Sequence, residues 1–139
     1  MVLIVVDTLR ADHLDAYGYE RATLGPVESF TREATRYNRA MAPASWTQPS
    51  VATIFSGLLP ARHRTKLDGS NRLNPVIPTL AEVLSERGYR TAGFSANVHV
   101  SRQTNFNQGF ESFLDHEGGV LGYPDIETVM RLARSLHVV

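Results

Sequence analysis

An amphipathic helix, a glycine turn and a strand are predicted to follow one another directly between Thr79 and Ala96. Thr79 and Glu82 have the spacing of a capping box, in which the two side chains satisfy each other's backbone N–H groups. Apolar residues recur at helical spacing after this start, and Gly88 is a typical C-terminal stop. Residues 89–96 then have the composition of a strand. A helix that runs through a short turn into a strand is typical of parallel α/β sheets.

Further elements of the same kind are predicted along the chain. Residues 2–6 are a continuous run of aliphatic and β-branched side chains, a pattern typical of a strand buried on both faces. Short strands are predicted at 37–41 and 110–114. Helices are predicted over 27–35, from 49 to an end within 57–59, and over 125–136. We therefore predict an α/β fold, with a mainly parallel sheet flanked by helices, in one domain over residues 1–139.

Composition excludes several classes of function. The 139 residues carry no net charge and no cysteine. Zero net charge argues against a general nucleic-acid or anionic-membrane binder, and the absence of cysteine excludes disulfides and thiolate metal sites. No run approaches the roughly 20 apolar residues of a membrane span. Residues 2–6 are also too short for a signal-peptide core, so no signal peptide is predicted and the compartment stays open.

Residues 44–51, Ala-Ser-Trp-Thr-Gln-Pro-Ser-Val, open one of the predicted helices. Apolar side chains recur from Val51 at i, i+3, i+4 and i+7. We expect Pro49 at the first helical position and Thr47 at or just outside the N-terminus. The free N–H groups and the helix dipole favour an anion there. The alternative is that Thr47 or Ser50 is simply an N-cap residue.

Polar side chains follow two of the predicted strands. Asp7 comes directly after residues 2–6, and Asn97-Val98-His99 comes after residues 89–96. Because the carboxyl ends of parallel strands share one edge of the sheet, where ligands bind in open α/β folds, we expect these side chains at the same edge. Asp7 is then a candidate metal ligand or catalytic carboxylate. The alternative for Asp7 is a loop residue that caps a turn.

The segment 61–76 is polar and basic. Its basic side chains are Arg62, His63, Arg64, Lys66 and Arg72. Turn signals at Asp68-Gly69 and Asn74-Pro75 predict an exposed loop. One interpretation of this composition is a role in phosphate recognition. A solvated run of charges is the more common explanation.

Three groups of motifs follow one another along nearly the whole chain. They are residues 3–14 with 17–19, residues 42–43 with 46–50 and 56–60, and residues 79–84 with 88–92 and 106–110. In this order and spacing they resemble the N-terminal part of the sulfatase family of the alkaline phosphatase superfamily. The resemblance implies a partial three-layer α/β fold, an apparently truncated N-terminal part of a catalytic domain, with no second domain.

The resemblance also implies roles for single residues. In the family, the acidic residue after the first strand binds a divalent metal, and the residue that begins the active-site helix is the nucleophile. These positions hold Asp7 and Thr47, with Thr47 also a metal ligand. Many sulfatases instead carry a cysteine or serine that becomes formylglycine, followed by proline and arginine; here Thr47, Pro49 and Val51 stand in that pattern. Thr8 stands where sulfatases often have a second carboxylate. The resemblance thus implies an unmodified threonine nucleophile, no formylglycine, and one divalent metal (Ca, Mn, Mg or Zn).

The implied activity is a metal-dependent hydrolase or transferase for sulfate or phosphate esters of small molecules, glycans or lipids. Arg10, Asn97 and His99 are candidates for substrate binding. The remaining metal ligands are expected outside this chain, and Asp115-His116 is not expected to replace them. Two alternatives stay open: a truncated, catalytically incomplete fragment, or a non-enzymatic anion-binding or partner-binding α/β module in which Thr47 is only a cap. The oligomeric state is not indicated.

Overall fold

A computed structural model describes residues 1–25, 28–66 and 71–115. The chain divides into two compact units, Met1–Met41 and Ala42–Val139. The predicted helix over 125–136 lies outside the described residues. None of the helices within the described ranges has the length and apolar character that a membrane crossing requires.

The first unit is built from short helical turns. Its elements are two turns of 3-10 helix, Ala11–His13 and Asp15–Tyr17, and helix α1, Glu28–Glu33. Helix α1 confirms the prediction over 27–35 with shorter ends. The Tyr17 hydroxyl donates to the Tyr37 carbonyl over 3.0 Å. The chain after α1 is thereby tied back to the second 3-10 turn.

The prediction of a strand at residues 2–6 is wrong. This segment has no secondary structure and is exposed, with 80% of the Ile4 surface accessible. A strand needs backbone partners on a neighbouring strand, and within the described residues the sheet contains only two strands from the second unit. Residues 37–41 also form no strand, because the chain turns at residues 38–39.

The second unit contains the sheet and three helices. The helices are α2, Thr47–Ser56; α3, Pro60–His63; and α4, Leu80–Glu86, and the strands are β1, Ala92–Phe94, and β2, Ser112–Leu114. The two strands pair in parallel, with Gly93 opposite Phe113. The predicted strands at 89–96 and 110–114 are confirmed, although each is shorter than expected. The α/β class with a parallel sheet is confirmed as well.

Helix α4 begins with the predicted capping box. The Thr79 hydroxyl accepts the Glu82 N–H over 3.2 Å, and the Glu82 carboxylate accepts the Thr79 N–H over 2.8 Å. The same carboxylate accepts the Gln108 side-chain amide over 2.8 Å. The cap therefore also fixes the segment that leads into β2. Gly88, in the left-handed conformation, follows the end of the helix as predicted.

One apolar cluster holds the second unit together. Its buried members are Val51, Ala52, Leu73, Val100 and Phe106, with Phe55 packed against them. Leu73 lies within the segment 61–76 that was predicted to be an exposed loop. That prediction is wrong at Leu73, His63 and Thr65, all three of which are buried. They are buried because the segment folds against α2, with Leu73 filling the core.

Candidate functional site

Helix α2 begins at the candidate nucleophile. Trp46 occupies the N-cap position, with extended backbone and no capping hydrogen bond from its side chain, and Thr47 is the first helical residue. The first hydrogen bond of the helix runs from the Ser50 N–H to the Trp46 carbonyl over 3.2 Å. Pro49 is therefore the third helical residue, whereas the sequence predicted it to be the first. The half-buried Thr47 lies at the positive end of the helix dipole.

The N-cap alternative for Thr47 and Ser50 is wrong. An N-cap residue lies just before the helix and accepts an N–H from its first turn. Thr47 lies one position too late for that role, and the Ser50 hydroxyl donates to the Ala44 carbonyl over 2.8 Å. This bond fixes the chain that enters the helix. At the other end Gly57, in the left-handed conformation, closes α2 within the predicted range 57–59.

His63 braces the first turn of α2 from the side. Its Nε2 lies 3.1 Å from the Thr53 hydroxyl, which donates to the Pro49 carbonyl over 3.1 Å. The Thr65 N–H donates to His63 Nδ1 over 3.1 Å. Because Nδ1 accepts, Nε2 carries the proton and donates to Thr53. The ring is 2% exposed. Burial lowers the pKa of His63, and a hydrogen bond to the Pro49 carbonyl opposes part of that shift.

Lys66 brings a positive charge to the start of α2. Its ammonium lies 5.8 Å from the centre of the Trp46 ring, within the range of a cation–π contact. The Gln48 amide donates to the Asn71 carbonyl over 3.0 Å, so a second part of the same segment is fixed to α2. Sequence reasoning missed both His63 and Lys66 as parts of this site. The available signal was the basic composition of residues 61–76, which does not show what the segment packs against.

Asn97 and His99 lie in a turn after β1. The Asn97 side-chain oxygen accepts the His99 N–H over 2.8 Å, and the Val100 N–H donates to the Asn97 carbonyl over 2.9 Å. Val100 belongs to the same apolar cluster as Val51, which lies one helical turn after Thr47. The turn and the start of α2 are therefore built on one core. The His99 side chain is exposed, whereas Asn97 is half-buried and shapes the turn.

Asp7 and Arg10 belong to the first unit, Met1–Met41. Asp7 lies in an exposed turn in which Thr8 has a positive φ of 60°. The Arg10 guanidinium donates to the Asp12 carboxylate over 2.9 Å. This hydrogen bond holds the pKa of Asp12 below its usual value. Since residues 2–6 form no strand, the shared sheet edge predicted for Asp7 and the 97–99 turn is not formed among the described residues.

The described residues do not form a divalent-metal site by themselves. Within residues 1–25, 28–66 and 71–115, no group of three or more His, Asp or Glu side chains is placed to hold a metal ion. A hard cation such as Ca²⁺ takes six or more oxygen ligands. The buried Asp115 carboxylate accepts the Arg102 N–H over 2.8 Å and the Arg102 guanidinium over 3.2 Å. Asp115 therefore fixes the loop that contains Arg102.

A sequence model of the sulfatase family, described as Sulfatase, matches residues 1–130 of this chain. The chain is 33% identical to human (Homo sapiens) arylsulfatase A over 126 residues, which cover 82% of this chain and 24% of that protein. It is 28% identical to human arylsulfatase H, over 99% of this chain and 28% of that protein. It is 27% identical to a Delta 4,5-hexuronate-2-O-sulfatase of Bacteroides thetaiotaomicron, over 67% of this chain and 20% of that protein.

No solved structure gave a significant match to the chain. The chain spans 20% to 28% of the length of these three curated relatives. The family match nevertheless covers nearly the whole chain, from its first residue to residue 130, and includes all three groups of motifs. This chain belongs to the sulfatase family of the alkaline phosphatase superfamily.

Proposed function

We propose that the protein carrying this chain is a sulfuric ester hydrolase in which Thr47 is the nucleophile. The observation that carries the proposal is the position of Thr47 as the first residue of α2. A hydroxyl there lies beside backbone N–H groups that precede the first hydrogen bond of the helix. Membership of the sulfatase family supports the reaction class, since the named relatives are sulfatases.

The start of α2 suits the negative oxygens of a sulfate ester. Its dipole contributes about 0.3–1 kcal/mol at an exposed site and up to about 2 kcal/mol when partly buried. Enzymes typically lower barriers by about 8–23 kcal/mol, so the helix end orients the ester and supplies only a small part of the rate. The Lys66 ammonium near Trp46 adds attraction for the same anion.

The proposed reaction has two displacements at sulfur. The Thr47 oxygen forms a bond to sulfur while the ester S–O bond breaks, and the leaving alcohol takes up a proton. Water then attacks the sulfur of the threonine sulfate ester, which releases sulfate and restores the Thr47 hydroxyl. A threonine hydroxyl needs activation to attack at neutral pH. The residue is proposed to act as threonine, without conversion to formylglycine.

Four further residues have roles in the proposal. Asp7 is our proposed ligand for the divalent metal that the resemblance implies (Ca, Mn, Mg or Zn), and the remaining ligands would lie outside the described residues. His99 is proposed to contact substrate, because it is exposed on a turn built on the same core as α2. Asn97 is also proposed to contact substrate, and its side-chain oxygen holds the turn through its bond to the His99 N–H. Arg10 is proposed as a substrate contact that would exchange its Asp12 partner for the ester.

The test is an assay of 4-nitrophenyl sulfate hydrolysis with Ca²⁺ or Mn²⁺, on protein expressed from its complete coding sequence. Thr47→Val keeps the side-chain shape and removes the hydroxyl, so kcat should fall by roughly 10³-fold or more. Thr47→Ser keeps a hydroxyl and should retain measurable activity.

Asp7→Asn should lose activity unless the metal concentration is raised, whereas Glu20→Gln, the matched control in the same unit, should not. Mass spectrometry of the peptide with residue 47 should find unmodified threonine.

Three outcomes would overturn the proposal. Equal kcat in the wild type and Thr47→Val would exclude Thr47 as the nucleophile. Cleavage of 4-nitrophenyl phosphate with no cleavage of the sulfate would reject the sulfuric ester class, even if Thr47 proved essential. A wild type inactive on both esters would favour the non-catalytic alternative.

A further inference from the structure

A cavity of about 330 Å³ lies in the second unit, beside the segment that braces α2. Its wall includes two arginines and several neutral polar side chains, and none of its described lining residues is acidic. The lining residues that matter here are Arg64, Thr65, Arg72, Asn74 and Asn105. A concave surface with two arginines and no carboxylate among its described lining residues favours anions.

The cavity wall is held in place by the core. Leu73, between Arg72 and Asn74, is fully buried, and its N–H donates to the Thr104 carbonyl over 2.9 Å. The Asn105 amide donates to the Leu73 carbonyl over 2.9 Å. Arg72 and Asn74 therefore extend from a fixed point of the chain. A site whose backbone is already fixed loses less entropy when it binds a ligand.

A second part of the wall is also fixed. Arg64 ends α3 in the left-handed conformation, and its N–H donates to the Pro60 carbonyl over 2.9 Å. Thr65 follows, with its N–H bonded to the buried His63 ring. The Asn74 side-chain oxygen accepts the Val76 N–H over 3.1 Å, so its NH₂ group is the end able to donate to a ligand.

Thr65 carries the observation that points to a ligand. Thr65 is 1% exposed, and its hydroxyl has no hydrogen-bond partner among the described residues. Buried hydroxyls almost always have a partner, because an unpaired one costs stability. The Thr65 residue also lines the cavity. A small movement of the wall that lets a ligand oxygen reach this buried hydroxyl would give it the acceptor that it lacks.

We propose that this cavity binds the oxyanion group of a sulfate or a phosphate between Arg64 and Arg72, with the Thr65 hydroxyl as a buried donor. Guanidinium groups suit such anions because their N–H donors match the geometry of paired oxygens. Arg72 already makes another contact within the protein. Since a guanidinium carries five N–H donors, that contact does not prevent it from binding an anion as well.

The proposal is independent of the role of Thr47. The ligand is either a free inorganic anion or an ester on a larger molecule such as a sugar, and both present the same oxygens. The test is a titration of the ¹⁵N-labelled chain with sodium sulfate, glucose 6-sulfate, sodium phosphate or glucose, followed by NMR. Sodium chloride at matched ionic strength is the reference, because it removes the effect of screening.

The expected result is saturable shifts of the backbone amides at residues 63–65, 72–74 and 105 with sulfate, and none with glucose. Arg72→Gln should weaken sulfate binding about tenfold. Arg62→Gln makes the same charge change on α3, outside the cavity lining, and should change affinity by less than about twofold. Tighter binding of glucose 6-sulfate than of sulfate identifies an ester ligand, and equal binding identifies the free anion.

Thr65→Val gives a second test, in which thermal stability and sulfate affinity are not expected to fall together. It removes the unpartnered hydroxyl and keeps the shape, so the melting temperature without ligand should stay equal or rise, while sulfate affinity should fall. Wild-type affinity in Thr65→Val would overturn the assignment of the hydroxyl as a donor. The site is overturned if sulfate and phosphate give no saturable shift beyond the chloride reference. It is also overturned by shifts confined to residues 46–50, or by equal losses of sulfate affinity in Arg62→Gln and Arg72→Gln.

Discussion

His63 shows how one buried side chain controls the first turn of α2. Its two ring nitrogens have different tasks: Nδ1 accepts the Thr65 N–H, and Nε2 donates to Thr53. A second proton on the ring would occupy Nδ1 and remove the bond from Thr65. Burial already disfavours the charged form, so the neutral ring is the form that fits this environment.

The pKa of His63 makes the stability of the fold depend on pH. As pH falls below the usual histidine value of about 6.5, the unfolded chain takes up a proton before the folded protein does, because burial lowers the folded pKa. The free energy of unfolding should therefore decrease from pH 6.5 downwards, until the folded pKa is reached. Urea unfolding followed by circular dichroism at a series of pH values measures it.

His63→Gln should be less stable at neutral pH and should show a flatter decrease below pH 6.5. His99→Gln is the matched control, because it removes an exposed imidazole in the same unit. Parallel pH curves for the wild type and His63→Gln would contradict the assignment of this pH dependence to His63.

At the scale of elements, hydrogen bonds join the start of helix α4 to the segment before β2. The Glu82 carboxylate accepts both the Thr79 N–H and the Gln108 amide, and the Thr79 hydroxyl donates to the Gln108 carbonyl over 3.2 Å. Gly109 packs directly against the start of the helix. A Cβ at Gly109 would lie 2.6 Å from the Glu82 Cγ and closer still to the Glu82 backbone nitrogen.

Gly109→Ala should therefore destabilise the fold through both backbone strain and a clash. Gly109 has a positive φ of 82°, which costs a side-chain-bearing residue about 1–2 kcal/mol, and the clash with the helix start adds about 1–3 kcal/mol. Gly57→Ala is the control, because Gly57 has a similar φ of 70° and open space around it. Urea unfolding should show the larger loss for Gly109→Ala, and equal losses would show that the contact with α4 is unimportant.

At the scale of the whole molecule, signals confined to a short stretch of chain predicted structure well. The Thr79–Glu82 capping box and the Gly88 stop depend on neighbours a few residues away, and both are confirmed. Burial depends on distant partners, so the basic segment around Leu73 was wrongly predicted to be exposed. Residues 2–6 have the composition of a strand, but the partners that a strand needs are not among the described residues.

For the candidate site, the sequence predicted the location of Thr47 at a helix start, because proline and the apolar repeat are local signals. It missed Lys66, because a contact between residues 46 and 66 follows from the fold of the intervening chain. The nucleophilic and metal-binding roles of Thr47 stay predictions, as do the roles of Asp7, Arg10, Asn97 and His99.

The exposed apolar run at residues 2–6 should make the 139-residue chain self-associate. Val2 and Ile4 are 66% and 80% exposed. Adjacent β-branched residues that have no partner strand among the described residues favour intermolecular pairing. Ile4→Lys should therefore lower the associated fraction in sedimentation velocity experiments. Val76→Lys, at an equally exposed single valine, should leave it unchanged. A wild-type chain that stays monomeric over the micromolar range would contradict this prediction.

The side chain before Thr47 also has a consequence for protein engineering. Trp46 fills the N-cap position without capping the helix, although Asp or Ser there commonly adds about 1 kcal/mol of stability. A screen for heat resistance would be expected to favour Trp46→Asp. Under the proposed function, the new carboxylate would compete for the N–H groups of the first turn and repel an incoming sulfate ester. Variants selected only for thermal tolerance would then lose the proposed catalysis first, as in other cases where stability and activity oppose each other.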